Sequence, residues 1–296
     1  MSRSLYIVAL MTTDNGYQCA QLDAAQAAAT RLGVEVEILD ADNDAVTQTQ
    51  QILTAVQRKN DRPEAIICIA VGSGMPQVAQ AAAAAGIGWA IVNREVDYLE
   101  ELRRKHGVIA FSVRSDDQAI GRIMGQQAAA LLPQGGSVLY LTGPSSSDVS
   151  QLRLTGFQST RPENIKVRTI SGQWTRESGR HAITSLLQLS TSAMTNIDLV
   201  ICQNDDMAEG ARQAFLDAGQ HWNHLRFTGV DGLPEGGQIL VQQLKLSATV
   251  VVPTTADVAL EAFVAAKKGM APPLHISVEP SSFPAVERIE PIFHAV

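Results

Sequence analysis

From Leu5 to Val278, short runs of β-branched and other apolar residues alternate with helix-forming stretches. Parallel neighbours must be joined by a crossover, usually a helix, so sustained alternation predicts parallel sheets covered by helices on both faces. The first set places strands at 5–11, 34–39, 65–71 and 89–92, with helices at 17–32, 45–58 and 76–85. Gly33 and Gly86 stand where a helix needs a left-handed stop. The alternation then restarts, with strands at 108–113, 137–141, 167–170, 199–202 and 226–230 and helices at 116–132, 147–159, 175–189 and 205–218. A last strand at 246–252, a helix at 256–267 and a strand at 275–278 are too few for a third domain. They complete the two existing lobes by crossing back and forth, the arrangement of a hinged clamshell. The expected fold is therefore α/β: two Rossmann-like, doubly wound parallel-sheet lobes joined by a multi-crossing hinge. Residues 1–113 with 254–272 form the first lobe and 114–253 with 273–296 the second, with a ligand cleft between them.

A length of 296 residues suits two domains of this kind. Net charge is −7 and no Lys/Arg cluster stands out, which argues against nucleic acid as a partner. Cys19, Cys68 and Cys202 are widely spaced and form no CxxC pair, so zinc and redox motifs are not expected and the thiols are read as packing groups. His106, His181, His221, His224, His275 and His294 show no metal-ligand spacing, and no GxSxG elbow occurs. The chain is read as a binding protein without catalysis or cofactor. Gly72-Ser73-Gly74 follows a strand but lacks the rest of a phosphate-loop fingerprint, which disfavours a nucleotide-using Rossmann enzyme. Gly143 to Asp148 reads as a flexible connection with an N-cap at Ser147. No apolar run reaches membrane-spanning length. The first strand begins at Leu5, leaving no room for a leader, so the expectation is an exported protein met without its signal peptide, or a cytoplasmic one.

Two strand ends in the second half carry the functional signal. Leu199 to Cys202 is apolar and gives way abruptly to Gln203-Asn204-Asp205-Asp206, and Phe227 to Val230 ends in Asp231-Gly232. In a parallel α/β sheet, ligands bind outside the carboxyl ends of strands, so these amides and carboxylates mark a polar small-molecule site. Strand-end Asn and Asp also cap helices. Capping accounts for Asp205, whereas Asp231 is read as a ligand contact.

At these residues the chain resembles the ribose/galactose-type periplasmic binding proteins of sugar ABC transporters, whose fold is shared by the effector cores of LacI-type repressors. The likeness lies in Gln203 to Gly210, Gly229-Val230-Asp231-Gly232, Lys245 to Val250, Met11 to Tyr17, and Val92-Asn93-Arg94. It covers nearly the whole chain in order and implies a type I periplasmic binding fold. Position by position, it implies sugar contacts at Asn15 and Tyr17, at Asn93 and Arg94, at Trp174, and at Asn204 and Asp231. Asn93 replaces a carboxylate, Gln18 an aromatic and Val252 a glutamine, and Gln151 falls where an arginine is expected. These departures argue against a pentose held by the usual contact set. Without the resemblance, Trp174 would be read as packing, and the alternative for Arg94 is a solvated ion pair with Glu95 or Asp97.

The chemistry suits a hydroxylated ligand. Asp231 and Arg94 offer charge-assisted hydrogen bonds; Asn15, Asn93, Gln151 and Asn204 each both donate and accept; Trp174 and Tyr17 offer flat apolar faces to C–H groups. The expectation is a monomeric solute-binding protein that captures a sugar or polyol and delivers it, unchanged, to an ABC-type permease. The alternative is the cytoplasmic effector domain of a LacI-type regulator, which would need a DNA-binding headpiece.

Overall fold

A computed structural model describes residues 4–72, 75–189 and 197–292. Its chain divides into two units, residues 1–114 with 254–278 and residues 115–253 with 279–296.

The first unit holds strands β1 (Leu5–Leu10), β2 (Glu35–Asp40), β3 (Ala65–Cys68), β4 (Gly88–Val92) and β5 (Ala110–Ser115) with helices α1 (Gly16–Leu32), α2 (Ala45–Val56), α3 (Pro76–Ala84) and α4 (Leu99–His106). The second holds α5 (Asp117–Leu131), β6 (Gly136–Thr142), α6 (Asp148–Thr160), β7 (Ile165–Ser171), α7 (Arg176–Leu189), β8 (Leu199–Cys202), α8 (Asp205–Ala218), β9 (Arg226–Asp231), α9 (Gly237–Gln242) and β10 (Ala248–Val251). The chain returns to the first unit for α10 (Ala256–Lys267) and β11 (His275–Val278), and ends in the second with β12 (Ser281–Phe283).

The two six-stranded sheets run β11-β5-β4-β3-β1-β2 and β12-β10-β9-β8-β6-β7. In each, the strand met first lies between the second and the third, and the chain winds outward from there in opposite directions. That reversal is the switch point at which doubly wound sheets open a crevice beyond the strand carboxyl ends. The duplicated strand order carries the α/β expectation through in both halves.

Alternation within the strands explains why both faces are covered. In the first sheet Tyr6, Val8, Leu10, Ile67 and Phe111 pack on one side with Ala25 and Ala28 of α1 and Leu260 and Phe263 of α10. Ile7, Ala9, Ile66, Cys68, Trp89 and Ile91 turn to the other, against Ile52 of α2, Ala79 and Ala82 of α3 and Leu102 of α4. In the second sheet Leu139, Leu141, Val200 and Cys202 meet Ile183 of α7 and Met207, Ala211 and Phe215 of α8. On its opposite face Tyr140 stacks against Phe157 of α6, centroids 4.6 Å apart. Buried Cys68 and Cys202 thus serve as small apolar groups, and burial pushes the Cys68 thiol up to about 12.

Gly33 ends α1 in the left-handed region at φ +69° and returns its N–H to Thr30 and Ala29, the expected stop. Ser147 caps α6 through its hydroxyl, as its position before the helix predicts. The short α9 and β12 were not expected, and two further features differ from the expectation. α4 was not anticipated: its eight residues are mostly charged, and only Leu99 and Leu102 face inward. β11, expected in the second lobe, belongs to the first: Leu274 accepts the Ser112 N–H at 2.9 Å and His275 Nδ1 meets the Ser112 hydroxyl at 2.8 Å. A four-residue strand contributes one row of edge hydrogen bonds, so the open edge beside β5 decides its allegiance.

Candidate functional site

In the first unit the polar residues collect at the carboxyl ends of β1 and β4. Asn15 takes extended backbone geometry and caps α1, its Oδ1 accepting the Gln18 N–H at 3.0 Å. Tyr17 lies in the first turn of the same helix, half-buried. Asn93 follows β4 directly with φ +59°, its N–H donated to Val113 and its Oδ1 accepting the Thr255 hydroxyl at 3.0 Å. Gln21 holds the same segment, its Oε1 accepting the N–H groups of Thr255 and Ala256 at 3.0 and 2.9 Å. Arg94 is half-buried and forms no ion pair among the described residues; Glu95 pairs instead with Arg114 at 2.9 Å.

The second unit brings Trp174, Asn204 and Asp231 to the ends of β7, β8 and β9. Asn204 is buried and uses both ends of its amide. Its Oδ1 accepts the Met207 N–H at 3.0 Å, capping α8, and its Nδ2 donates to the Trp174 carbonyl at 2.8 Å. That bond fixes the loop on which Trp174 stands with φ +67°. The indole lies flat on the chain at Gly143, where any Cβ would run into the ring. Gln151 is exposed, and its Nε2 is donated to the Ser145 carbonyl at 3.0 Å.

Asp205, read as its helix's cap, is not the cap. Asn204 fills that role, and Asp205 points back into the sheet. Its Oδ1 accepts the Thr249 hydroxyl at 2.7 Å and its Oδ2 the Gly232 N–H at 2.8 Å, joining α8 to β10 and to the turn after β9. Gly229 and Gly237 wall the carboxylate so closely that a Cβ on either would overlap it. Burial outweighs the two hydrogen bonds and pushes its pKa up to about 7.

Asp231 differs. It ends β9 at φ +108°, a backbone conformation costly for any residue with a Cβ, and is 8% exposed. No hydrogen bond to its carboxylate is found among the described residues. Burial, with Asp205 nearby, raises its pKa well above the usual aspartate value.

One neighbour lay outside the expected set. Arg153 of α6 is 8% exposed; it donates Nε to Asp117 at 3.0 Å and Nη1 to the Gln203 carbonyl at 2.7 Å, and its guanidinium carbon lies 5.8 Å from the Trp174 ring centroid. Its positive charge partly offsets the upward push on Asp231. Gln203 organises the surroundings: its Oε1 accepts the Gly143 N–H and its Nε2 donates to Tyr140 and Ser150. One signal for Arg153 was available, since it occupies the buried face of α6 together with Ser150, Gly156 and Phe157. A charge on the face that packs inward needs a partner there. Ser73 and Gly74 of the glycine-rich stretch lie outside the described residues, as does His294.

Two acceptor-bearing strand ends, a guanidinium and an indole thus gather at the sheet edge where doubly wound folds bind small molecules. Residues 6–269 match the periplasmic binding protein domain model, and the chain belongs to that family. It is 30% identical over 268 residues to the D-apiose import binding protein of Actinobacillus succinogenes, covering 88% of this chain and 81% of that one. It is 27% identical to the ribose import binding protein of Escherichia coli, over 84% of this chain and 79% of the relative. Among solved structures, the fold superposes with a TM-score of 0.82 on the binding component of the Shewanella sp. ANA-3 arabinose ABC transporter, bound to L-arabinofuranose, at 23% identity over 96% of this chain and 93% of that one. A myo-inositol-binding protein from Caulobacter gives 0.80 at 22% identity, over 95% and 93%.

Proposed function

We propose that this protein is a periplasmic solute-binding protein that captures a sugar or polyol and delivers it to an ABC-type permease. Family membership supports the class, and the import role in the names of the apiose and ribose relatives supports the permease partner. The ligand class rests on Asp231. A carboxylate so enclosed, without a hydrogen-bond donor of its own unit among the described residues, is costly unless something supplies donors. Paired hydroxyls of a sugar or polyol do so. In this reading Asn15, Tyr17, Asn93 and Arg94 contribute the first unit's contacts, and Trp174, Asn204 and Asp231 the second's, with Arg153 beside them. Gln151 contributes least, because its amide is committed to Ser145.

The test is a thermal-shift screen over pentoses, hexoses, furanoses and cyclitols. A binder at about 100 times its Kd stabilises the folded protein by about 2.7 kcal/mol. Silence from every carbohydrate and polyol, together with a shift caused by nucleotides, would sink the reading.

A further inference from the structure

The charges around Asp231 do not balance. Asp205 and Asp206 approach from the first turn of α8, and Arg153 from α6. Arg153 is shared, its Nε already given to Asp117 of α5. Asp206 lies 4.0 Å from Arg176, which pairs more closely with Glu209, so the Asp206 charge adds to the upward push on Asp231. β10 meets Asp231 with Val251, α9 sends Gln238 only to the Gly232 carbonyl, and Cys202 on β8 is a thiol whose pKa burial raises. Asp117, Asp205 and Asp231 therefore stand against one buried guanidinium. Two neighbouring carboxylates largely shielded from water do not both ionise cheaply, so the pair retains a proton. Its seat follows from the hydrogen bonds. Both Asp205 oxygens already receive donors, from Thr249 and Gly232, which favours the ionised form there. Asp231 receives none from the described residues.

We propose that Asp231 carries a proton in the ligand-free protein at neutral pH, and that ligand hydroxyls donating to it displace that proton into solvent. No bond within the ligand changes; the carboxyl O–H is exchanged for hydroxyl-to-carboxylate hydrogen bonds, which are stronger than neutral ones. Binding then releases up to one proton, so by linkage acid weakens binding and ligand lowers the pKa of Asp231. Affinity falls by up to about tenfold per pH unit while the ligand-free carboxyl is protonated. Stability of the empty protein runs the other way. The folded state binds more protons than the unfolded one, so stability is greatest below the ordinary aspartate range and declines as pH rises through the raised pKa of Asp231.

The ligand half of this proposal rests on the sugar-binding reading, and the two are separable. In ligand-free protein carrying carboxyl-carbon-labelled aspartate, the resonance lost in Asp231→Asn should titrate well above an ordinary aspartate. It should move down in Asp205→Asn, which keeps a hydrogen-bonding group at Oδ1. An ordinary titration, or none that responds to Asp205→Asn, overturns the proposal. Calorimetry with D-ribose, D-allose and myo-inositol, in two buffers of different ionisation enthalpy at pH 7, reads the released proton. A bound probe should give buffer-dependent heats, and equal heats overturn the proposal. If Asp231 titrates high but no probe binds at any pH, the proton assignment stands, while the sugar reading and the coupling to it both fall.

Discussion

The two units share one strand order and arm their strand ends in opposite ways. In the first, Asn15 and Asn93 are half-buried amides whose Oδ1 atoms are already given to Gln18 and Thr255, beside a half-buried Arg94. In the second, the strand ends carry largely buried carboxylates: Asp205 with both oxygens filled and Asp231 with neither filled by the described residues. The same topology supplies the same edge, and side chains alone decide what chemistry it offers. The second unit's strand ends thus present carboxylates, and the first unit's present amides beside one guanidinium.

This asymmetry can be broken by substitution. Arg153→Met should have the largest effect. It removes the ion pair to Asp117 and the hydrogen bond to the Gln203 carbonyl, both made by a buried guanidinium, at a cost of about 3–5 kcal/mol read as a fall in denaturation midpoint. Asp205→Ala comes next, leaving the Thr249 hydroxyl and the Gly232 N–H unanswered at a cost of about 3 kcal/mol in stability. Asp231→Ala separates binding from folding. Calorimetry should show about a hundredfold loss of affinity, about 2.7 kcal/mol, while the melting temperature of the empty protein at pH 7 stays level or rises. Loss of stability instead would make Asp231 a second structural carboxylate. Arg94→Ala should weaken binding about tenfold with no change in stability, as expected for a half-buried guanidinium without an ion pair among the described residues. If it matches Asp231→Ala, the asymmetry is wrong. Gln151→Ala is the smallest test: less than about 0.5 kcal/mol in stability and little change in affinity.

Local pattern was enough for the sheets, because apolar runs such as Ala65 to Cys68 bounded by polar turns leave little choice of conformation. It failed where stability is borrowed from elsewhere. α4 offers two inward leucines and six residues that favour water, so its helicity depends on packing against α3 and the first sheet. The brief β12 forms only by pairing antiparallel to β10. At the strand ends, the abrupt change from apolar to polar located Asn204 and Asp231 without any knowledge of three-dimensional neighbours. Which Asx caps α8 was not legible, because Asn204 and Asp205 sit side by side and the choice depends on Thr249, dozens of residues later. Arg153 escaped for the same reason: its burial is satisfied by Asp117 and a carbonyl on Gln203, neither of them near it in sequence.

The return of residues 254–278 to the first unit bears on how the chain is made. α10 lays Leu260 and Phe263 over Tyr6 and Phe111, and β11 closes the edge at β5. A ribosome delivering the first 114 residues has therefore released a sheet with one face partly uncovered and one edge open, and the whole second unit must be synthesised before the missing pieces arrive. Neither half is a contiguous segment that a single cut could free. During synthesis the early half depends on help, or on delay, until the late residues emerge.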